Sequence, residues 1–290
     1  YEVSRVTVRN ALKALVDEGV VARDRGKGTV VLRSLPTWQK GERTFLGLVV
    51  NRLNSEFTAA VLAGFEATAR ELGALVSVQA SDEDPKVELA AIDRFHAAGI
   101  MSISLIPCET SESSPALREL RRAKLHVGLI DRDAGLGEFD YVGSDHSGGA
   151  YSAVVHLGHH GFRDVLFVTY PSTISSVRER YDGFSVAIRE EGLNEIGRPV
   201  NFDKLERTLN RLGRSVPIGI VAVNDLVAIR CYPAIEAAGR QIGRDVGIIG
   251  FDNLAQDKFL RPGLTSVSQN GYSLGRKAAE QALSSVRRER

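Results

Sequence analysis

From Phe45 onward, short apolar runs alternate with amphipathic stretches. Phe45–Val50, Leu75–Gln79, Ile100–Ile106, Leu125–Ile130, Val165–Val168, Gly219–Val223, Val246–Gly250 and Thr265–Val267 have strand length, and Tyr141–Val142 is a shorter piece of the same kind. Between them apolar positions return at three- and four-residue steps. This spacing predicts helices over Glu56–Leu72, Gly148–His160, Ser176–Glu191, Phe202–Leu212, Asp225–Ala238 and Gly271–Val286. In the first of these Val61, Phe65, Ala69 and Leu72 form the stripe and Gly73 the stop. Asp84-Pro85 and Ser114-Pro115 supply a cap and a first-turn proline for two more helices, the former ending before Gly99. Strand–helix alternation of this kind predicts parallel sheets covered by helices on both faces. The stretch is too long for one such sheet, so two doubly wound α/β lobes are expected.

The first residues have another pattern. Val8, Ala11, Leu12, Leu15 and Val16 make a helical stripe, with Ser4 placed as N-cap and Gly19 as an αL stop. The opposite face carries Arg5, Arg9 and Lys13. Val20–Ala22 and Gly28–Leu32 then read as a hairpin with Arg23, Arg25 and Lys27 at its tip. A charged helix face is ordinarily just solvated. Beside a basic hairpin tip it also suits a helix in a major groove with a wing on the phosphates. Leu32–Thr44 breaks both periods around Pro36 and Gly41 and reads as a linker, with Trp38 expected to pack against the body of the chain. The expected division is a head at 1–33, a linker at 34–44 and a body at 45–290. Residues 1–33 are too few to bury a core alone, so the head is expected to be a fragment with Val8, Leu12 and Leu15 partly exposed.

Composition changes this picture in one respect. The 290 residues are 43% hydrophobic and 25% charged with net charge +1, as in an ordinary globular chain. The charge is uneven: residues 1–43 hold 9 Lys/Arg against 5 Asp/Glu, the rest 28 against 31. A basic head on a mildly acidic body suits a nucleic-acid contact at one end. Cys108 and Cys231 stand far apart with no C-x-x-C, which fits a reducing compartment. No apolar run is long enough to span a membrane.

In open parallel sheets, ligands sit beyond the carboxyl ends of the strands. That rule selects Asn51-Arg52, Asp131-Arg132, Asn224-Asp225, Asp252-Asn253 and Gln269-Asn270, with Arg180 near a helix start and Phe57 as an apolar ring. Planar donors and acceptors of this kind suit vicinal hydroxyls. Each Asp or Asn has a second reading as a helix cap. His156, His159 and His160 end a helix, where the dipole favours their charge, and lack a fourth ligand; no metal and no cofactor is expected. Gly26–Thr29 is not a phosphate-binding loop, and no nucleophile pattern appears.

The order S-R-x-T-V-R-x-A-L-x-x-L-x-x-E-G followed by G-K-G-T-x-V resembles the second half of a GntR-family winged helix–turn–helix. The resemblance implies that Ser4, Arg5, Thr7 and Arg9 face DNA, that Lys27 and Gly28 lie in the wing, and that the family's first helix would precede Tyr1. The pieces LIDRD, YVGSDHSGGA, HLGHHGFRDVLFV, SSVRERYDGF, AVNDLVAI, IIGFDN and LRPGLTSVSQ resemble the sugar-sensing domain of LacI/GalR-family repressors, which shares its fold with periplasmic sugar-binding proteins. This resemblance implies Asp131, Arg180, Asn224, Asp252 and Gln269 as effector contacts, Phe57 more loosely, and two further strands after Val286. The combination looks like the arabinose-repressor subgroup of GntR regulators. It implies a cytoplasmic homodimer that binds operator DNA under control of a small sugar. A solute-binding protein for transport or a carbohydrate-active enzyme, for which Asp131 and Asp252 would be the carboxylate pair, are the alternatives on the same fold.

Overall fold

The computed structural model describes residues 5–17, 21–24, 28–31, 44–110, 114–122, 125–135, 137, 139–213 and 216–288. Two compact units divide the chain, residues 1–43 and 44–290.

In the first unit, helix α1 (Arg5–Asp17) precedes an antiparallel hairpin of β1 (Val21–Asp24) and β2 (Gly28–Val31), registered Val21 to Val31 and Asp24 to Gly28. Val21 is buried, while Val8 and Leu15 in the helical stripe stay exposed. Ser4, Gly19, Lys27, Trp38 and the linker 34–43 lie outside the described residues.

The second unit holds two parallel sheets. In chain order the first lobe comprises β3 (Phe45–Val50), α2 (Glu56–Glu71), β4 (Leu75–Ala80), α3 (Pro85–Ala97), β5 (Ser102–Leu105), α4 (Pro115–Arg122), β6 (His126–Ile130) and β7 (Asp140–Val142). Its strands run in the order β4-β3-β5-β6-β7, all parallel. The chain then crosses into α5 (His146–His159), β8 (Asp164–Thr169), α6 (Ser175–Glu190), β9 (Asn194–Glu195), β10 (Val200–Asn201), α7 (Leu205–Arg211), β11 (Ile218–Ala222), α8 (Asp225–Ala237), β12 (Val246–Asp252) and β13 (Thr265–Ser268). Here β8 lies between the short β9 and β10 on one side and β11 on the other, and β12 and β13 come next, again all parallel. Each sheet thus has its first strand inside and the order reverses beside it, between β3 and β5 in the first lobe and between β8 and β11 in the second, a topological switch point that opens a crevice at the carboxyl ends.

The last helix, α9 (Gly271–Arg288), returns to the first lobe. Leu274, Ala278, Ala279, Ala282 and Leu283 join Leu46, Leu48, Val61 and Phe65 in that lobe's core. Its close contact with α2 depends on two glycines: a Cβ on Gly64 would strike the Tyr272 carbonyl, and one on Gly275 the Val61 carbonyl. The other face of the sheet is covered by α3 and α4 through Ile92, Phe95, Leu117 and Leu120. In the second lobe one core joins Val154, Leu157 and Phe184 to Leu205, Ile235 and the strands.

Three expectations are corrected. Leu72 is 41% exposed, because α2 ends at Glu71 and Leu72 caps it, outside the stripe. The Ile100–Ile106 run contributes only four residues to the sheet. At the end of α5, His156 does not show the expected favouring of its charge: burial first, then the neighbouring His160 and His159, push its pKa down.

Candidate functional site

Both sheets end on polar residues, and the two crossovers between the lobes run past the same place. In the first lobe β6 ends on Asp131 and Arg132. Asp131 adopts a left-handed φ of 66°, with its N–H donating to the Val142 carbonyl (2.9 Å). Such a conformation is costly for a residue with a Cβ and recurs at functional sites. Arg132 is buried and forks onto Glu83: Nη1 donates to Oε2 at 3.1 Å and Nη2 to Oε1 at 3.0 Å, while Nη1 also reaches the Pro107 carbonyl at 2.7 Å. Asn51, after β3, donates to Glu83 Oε1 (2.9 Å) and accepts from the Thr58 hydroxyl (3.0 Å). Burial pushes the Glu83 carboxyl up, but the hydrogen bonds and charge of Arg132 outweigh it and hold its pKa below the ordinary value.

From the second lobe α6 projects Arg180, which is buried. Its Nη1 donates to the Val223 carbonyl at 2.6 Å, its guanidinium lies 3.8 Å from the Phe251 ring centre, and Nη2 stands 3.9 Å from Asp252 Oδ1. Asp252, at φ 121°, accepts from Gln269 Nε2 at 2.7 Å. Burial, only partly offset by Arg180 and Gln269, pushes the Asp252 carboxyl up to about 7. Gln269 Oε1 in turn accepts from the Ser144 hydroxyl at 2.8 Å, tying the crossover after β13 to the one before α5.

His146, the first residue of α5, links the halves. Arg180 approaches its Nδ1 through Nε (3.4 Å) and Nη2 (3.3 Å), and its Nε2 faces the Asp131 carbonyl at 3.0 Å. A guanidinium only donates, so Nδ1 accepts and the ring proton sits on Nε2. Burial, reinforced by the Arg180 charge, pushes the His146 pKa down and keeps this neutral tautomer. The Tyr170 phenol, after β8, has a pKa raised by burial and feels the charges of Arg132, Arg180, Glu83 and Asp252 together.

Two further contacts hold the lobes to each other. Thr110, after β5, donates its hydroxyl to the Thr173 carbonyl (3.0 Å) and accepts the N–H of Ser175 (3.0 Å), the first residue of α6. Glu56 Oε2 accepts the N–H of Ala255 at 2.8 Å.

Asp131, Arg180, Asp252 and Gln269 therefore converge, as the strand-end rule requires. Asn224 caps α8, its Oδ1 accepting from Val227 N (2.9 Å), so the capping reading holds for that oxygen. Asp225 is likewise engaged internally, by the Ser266 hydroxyl (2.6 Å) and Leu254 N (3.0 Å). Phe57 is half-buried on the first-lobe core, beside Gly271 at the start of α9. Arg5, Thr7 and Arg9 lie on α1 and Gly28 opens β2, whereas Ser4 and Lys27 are outside the described residues. Sequence reasoning missed Glu83, Ser144, His146 and Tyr170. His146 stands within the YVGSDHSGGA motif, and Glu83 one residue before the Asp84-Pro85 helix start, in a run that reads only as a cap.

A family model for gntR-family bacterial regulatory proteins matches residues 1–31, and one for a periplasmic binding protein-like domain matches residues 154–290. The HTH-type transcriptional regulator KdgR of Bacillus subtilis is 25% identical over 98% of this chain and 83% of its own length. The arabinose metabolism transcriptional repressor of Geobacillus stearothermophilus is 24% identical over 99% of this chain and 82% of its own. Among solved structures, a LacI family transcriptional regulator from Enterococcus faecium with bound ribose matches with TM-score 0.69 and 22% identity, covering 84% of this chain and 90% of that one. No helix among the described residues is long and apolar enough to cross a membrane.

Proposed function

We propose that the chain is a transcriptional regulator rather than an enzyme, and that a small sugar bound between the two lobes controls its affinity for operator DNA, a reading supported by the gntR-type match over residues 1–31 and the periplasmic binding protein-like match over residues 154–290. It acts in the bacterial cytoplasm as a homodimer whose heads read the operator. The observation that carries the proposal is the convergence of Asp131 from one lobe with Arg180 and Asp252 from the other, at the carboxyl ends of both sheets. Charged forks and carboxylates at such an edge hold adjacent hydroxyls in one orientation. A ligand touching both lobes favours their closed arrangement, and it changes DNA affinity only through its differential affinity for the two states. Likeness to an arabinose metabolism repressor and to a ribose-bound regulator supports a sugar as effector. In the head, Ser4, Arg5, Thr7 and Arg9 are assigned to DNA, with Lys27 and Gly28 in the wing.

The test is operator binding titrated with a panel of monosaccharides, for the wild type and Arg180→Ala. Arg180 donates from a buried site, and losing a hydrogen bond to a charged group costs about 1.5–3 kcal/mol. The variant is expected to bind the operator normally and to need at least about tenfold more sugar for release. Release at the wild-type concentration would remove Arg180 from the site and with it the cleft reading.

A further inference from the structure

We propose that Glu83 sets the charge class of the effector: by engaging Arg132 within the protein, it excludes sugar acids and sugar phosphates and leaves the cleft fitted to an uncharged, hydroxyl-rich ligand. The proposal rests on the cleft reading above. An unengaged arginine in a dry crevice is a fork shaped for carboxylate or phosphate. Two buried arginines stand here: the fork of Arg132 is occupied, and Arg180 is anchored within the protein while facing a carboxylate. Arg132 has both terminal nitrogens on Glu83 and one also on the Pro107 carbonyl. Arg180 is held by Val223, His146, the Phe251 face and the Asp252 carboxylate. An anion entering between them would have to break a partly buried, two-bond ion pair and leave Glu83 as an unpaired like charge beside it.

The backbone is shaped for the same end. Asp82 and Glu83 have φ of 51° and 61°, consecutive left-handed residues without glycine. Each such residue carries a local cost and persists only where its surroundings hold it. Starting α3 does not call for it, since Asp84 caps that helix through Lys86 N. The observed holders are Asn51 and Arg132, which fix the Glu83 carboxylate at the strand ends. Arg52, exposed beside them, adds its charge to the same carboxylate. Asp131 Oδ1, buried 3.5 Å from His146 Nε2, adds a further carboxylate oxygen without a hydrogen-bond donor among the described residues, a poor neighbour for an anion. A sugar hydroxyl can donate to such an oxygen, whereas a phosphate or carboxylate group placed there adds like charge.

The experiment is calorimetric titration of the full chain with D-ribose, L-arabinose and D-glucose against ribose 5-phosphate, glucose 6-phosphate and D-gluconate. The wild type is expected to bind at least one neutral sugar and to bind its acid or phosphate at least tenfold more weakly. Glu83→Gln is expected to narrow that ratio at least tenfold by gaining the anion. The double variant Glu83→Gln/Arg132→Gln removes the freed fork and is expected to lose the gain, which a mere loosening of the loop would not do. A wild type that binds the anion as tightly as the neutral sugar overturns the proposal, as does a Glu83→Gln protein with an unmoved ratio. Should Glu83→Gln fail to fold, Glu83→Asp replaces it: it keeps the charge and is expected to keep the exclusion, and an anion bound by it as tightly as the neutral sugar overturns the proposal. Failure of the cleft itself has a separate signature, an Arg180→Ala protein that binds the neutral sugar like the wild type.

Discussion

At the level of single residues, the cluster pairs Arg132 with Glu83 and sets Arg180 against Asp252, with one carboxyl left near neutrality. Asp252 is that group: burial raises its pKa to about 7 against an ordinary 3.8. For an acid whose folded pKa is raised, the folded chain holds the proton longer than the unfolded chain. Its contribution to stability is therefore full below the unfolded pKa and is lost as pH rises from about 4 through about 7. Asp257, which burial and the adjacent Asp225 also push up to about 7, acts in the same direction. The thermal midpoint of the body is expected to fall between pH 5 and pH 8, and Asp252→Asn is expected to flatten that slope. An unchanged slope in the variant would show that Asp252 is ionised throughout. The same titration bears on the ligand: the ionised carboxylate accepts two hydroxyl hydrogen bonds and repels any anion, so neutral-sugar affinity is expected to hold or rise toward pH 8.

At the level of elements, most of the body was readable because burial on both faces gives parallel strands unbroken apolar runs, and Asp84-Pro85 and Gly73 mark helix ends by backbone chemistry alone. Short pieces escaped: β9 and β10 are two residues each, too few for any period to show. The cluster was readable where it came at or directly after a strand end, as with Asp131, Asp252 and Gln269. It was not readable at Glu83 and His146, whose roles come from a bidentate partner 49 residues away and from a tautomer set by Arg180. Nor does any local pattern disclose that α9 belongs to the first lobe. That return depends on backbone approach at Gly64 and Gly275, where a methyl group would meet a carbonyl oxygen of the other helix. Because backbone cannot yield as a side chain does, Gly275→Ala is expected to destabilise the first lobe by about 1–3 kcal/mol. Chemical denaturation is the measure, and a neutral result would mean that the helices separate without cost. Gly73→Ala makes a useful contrast: no atom lies within 4 Å of its Cβ position, so its cost comes only from φ of 78°.

At the level of the whole molecule, the proposed function assigns DNA to the first unit and the effector to the second. For the head, Arg9→Ala is expected to cost about 1–3 kcal/mol of operator affinity, concentrated at one base position, and Lys27→Ala to weaken binding evenly while lowering the salt slope by about one. Unchanged operator affinity for Arg9→Ala would reduce that face of α1 to a solvated surface. For the body, the proposed response is expected to depend on a contact that no effector makes. Helix α6, which carries Arg180, has Ile174 at its N-cap and no side-chain cap of its own. Its first N–H, on Ser175, is instead accepted by the Thr110 hydroxyl from the other lobe, and that hydroxyl donates onward to Thr173. The first lobe thus caps a helix of the second only while the two are together. Thr110→Val keeps the volume and removes the acceptor, leaving a buried N–H unsatisfied in the closed arrangement at a cost of about 1–3 kcal/mol. The open arrangement, where water takes the N–H, is spared that cost. Effector affinity is therefore expected to fall by about 5- to 150-fold although every residue contacting the sugar is intact, because the ligand must now work against a less favourable closure. Thr110→Ser retains the hydroxyl and is expected to restore most of the affinity. Calorimetric titration of both variants decides the matter: a Thr110→Val protein that binds sugar like the wild type would show that Thr110 takes no part in closure.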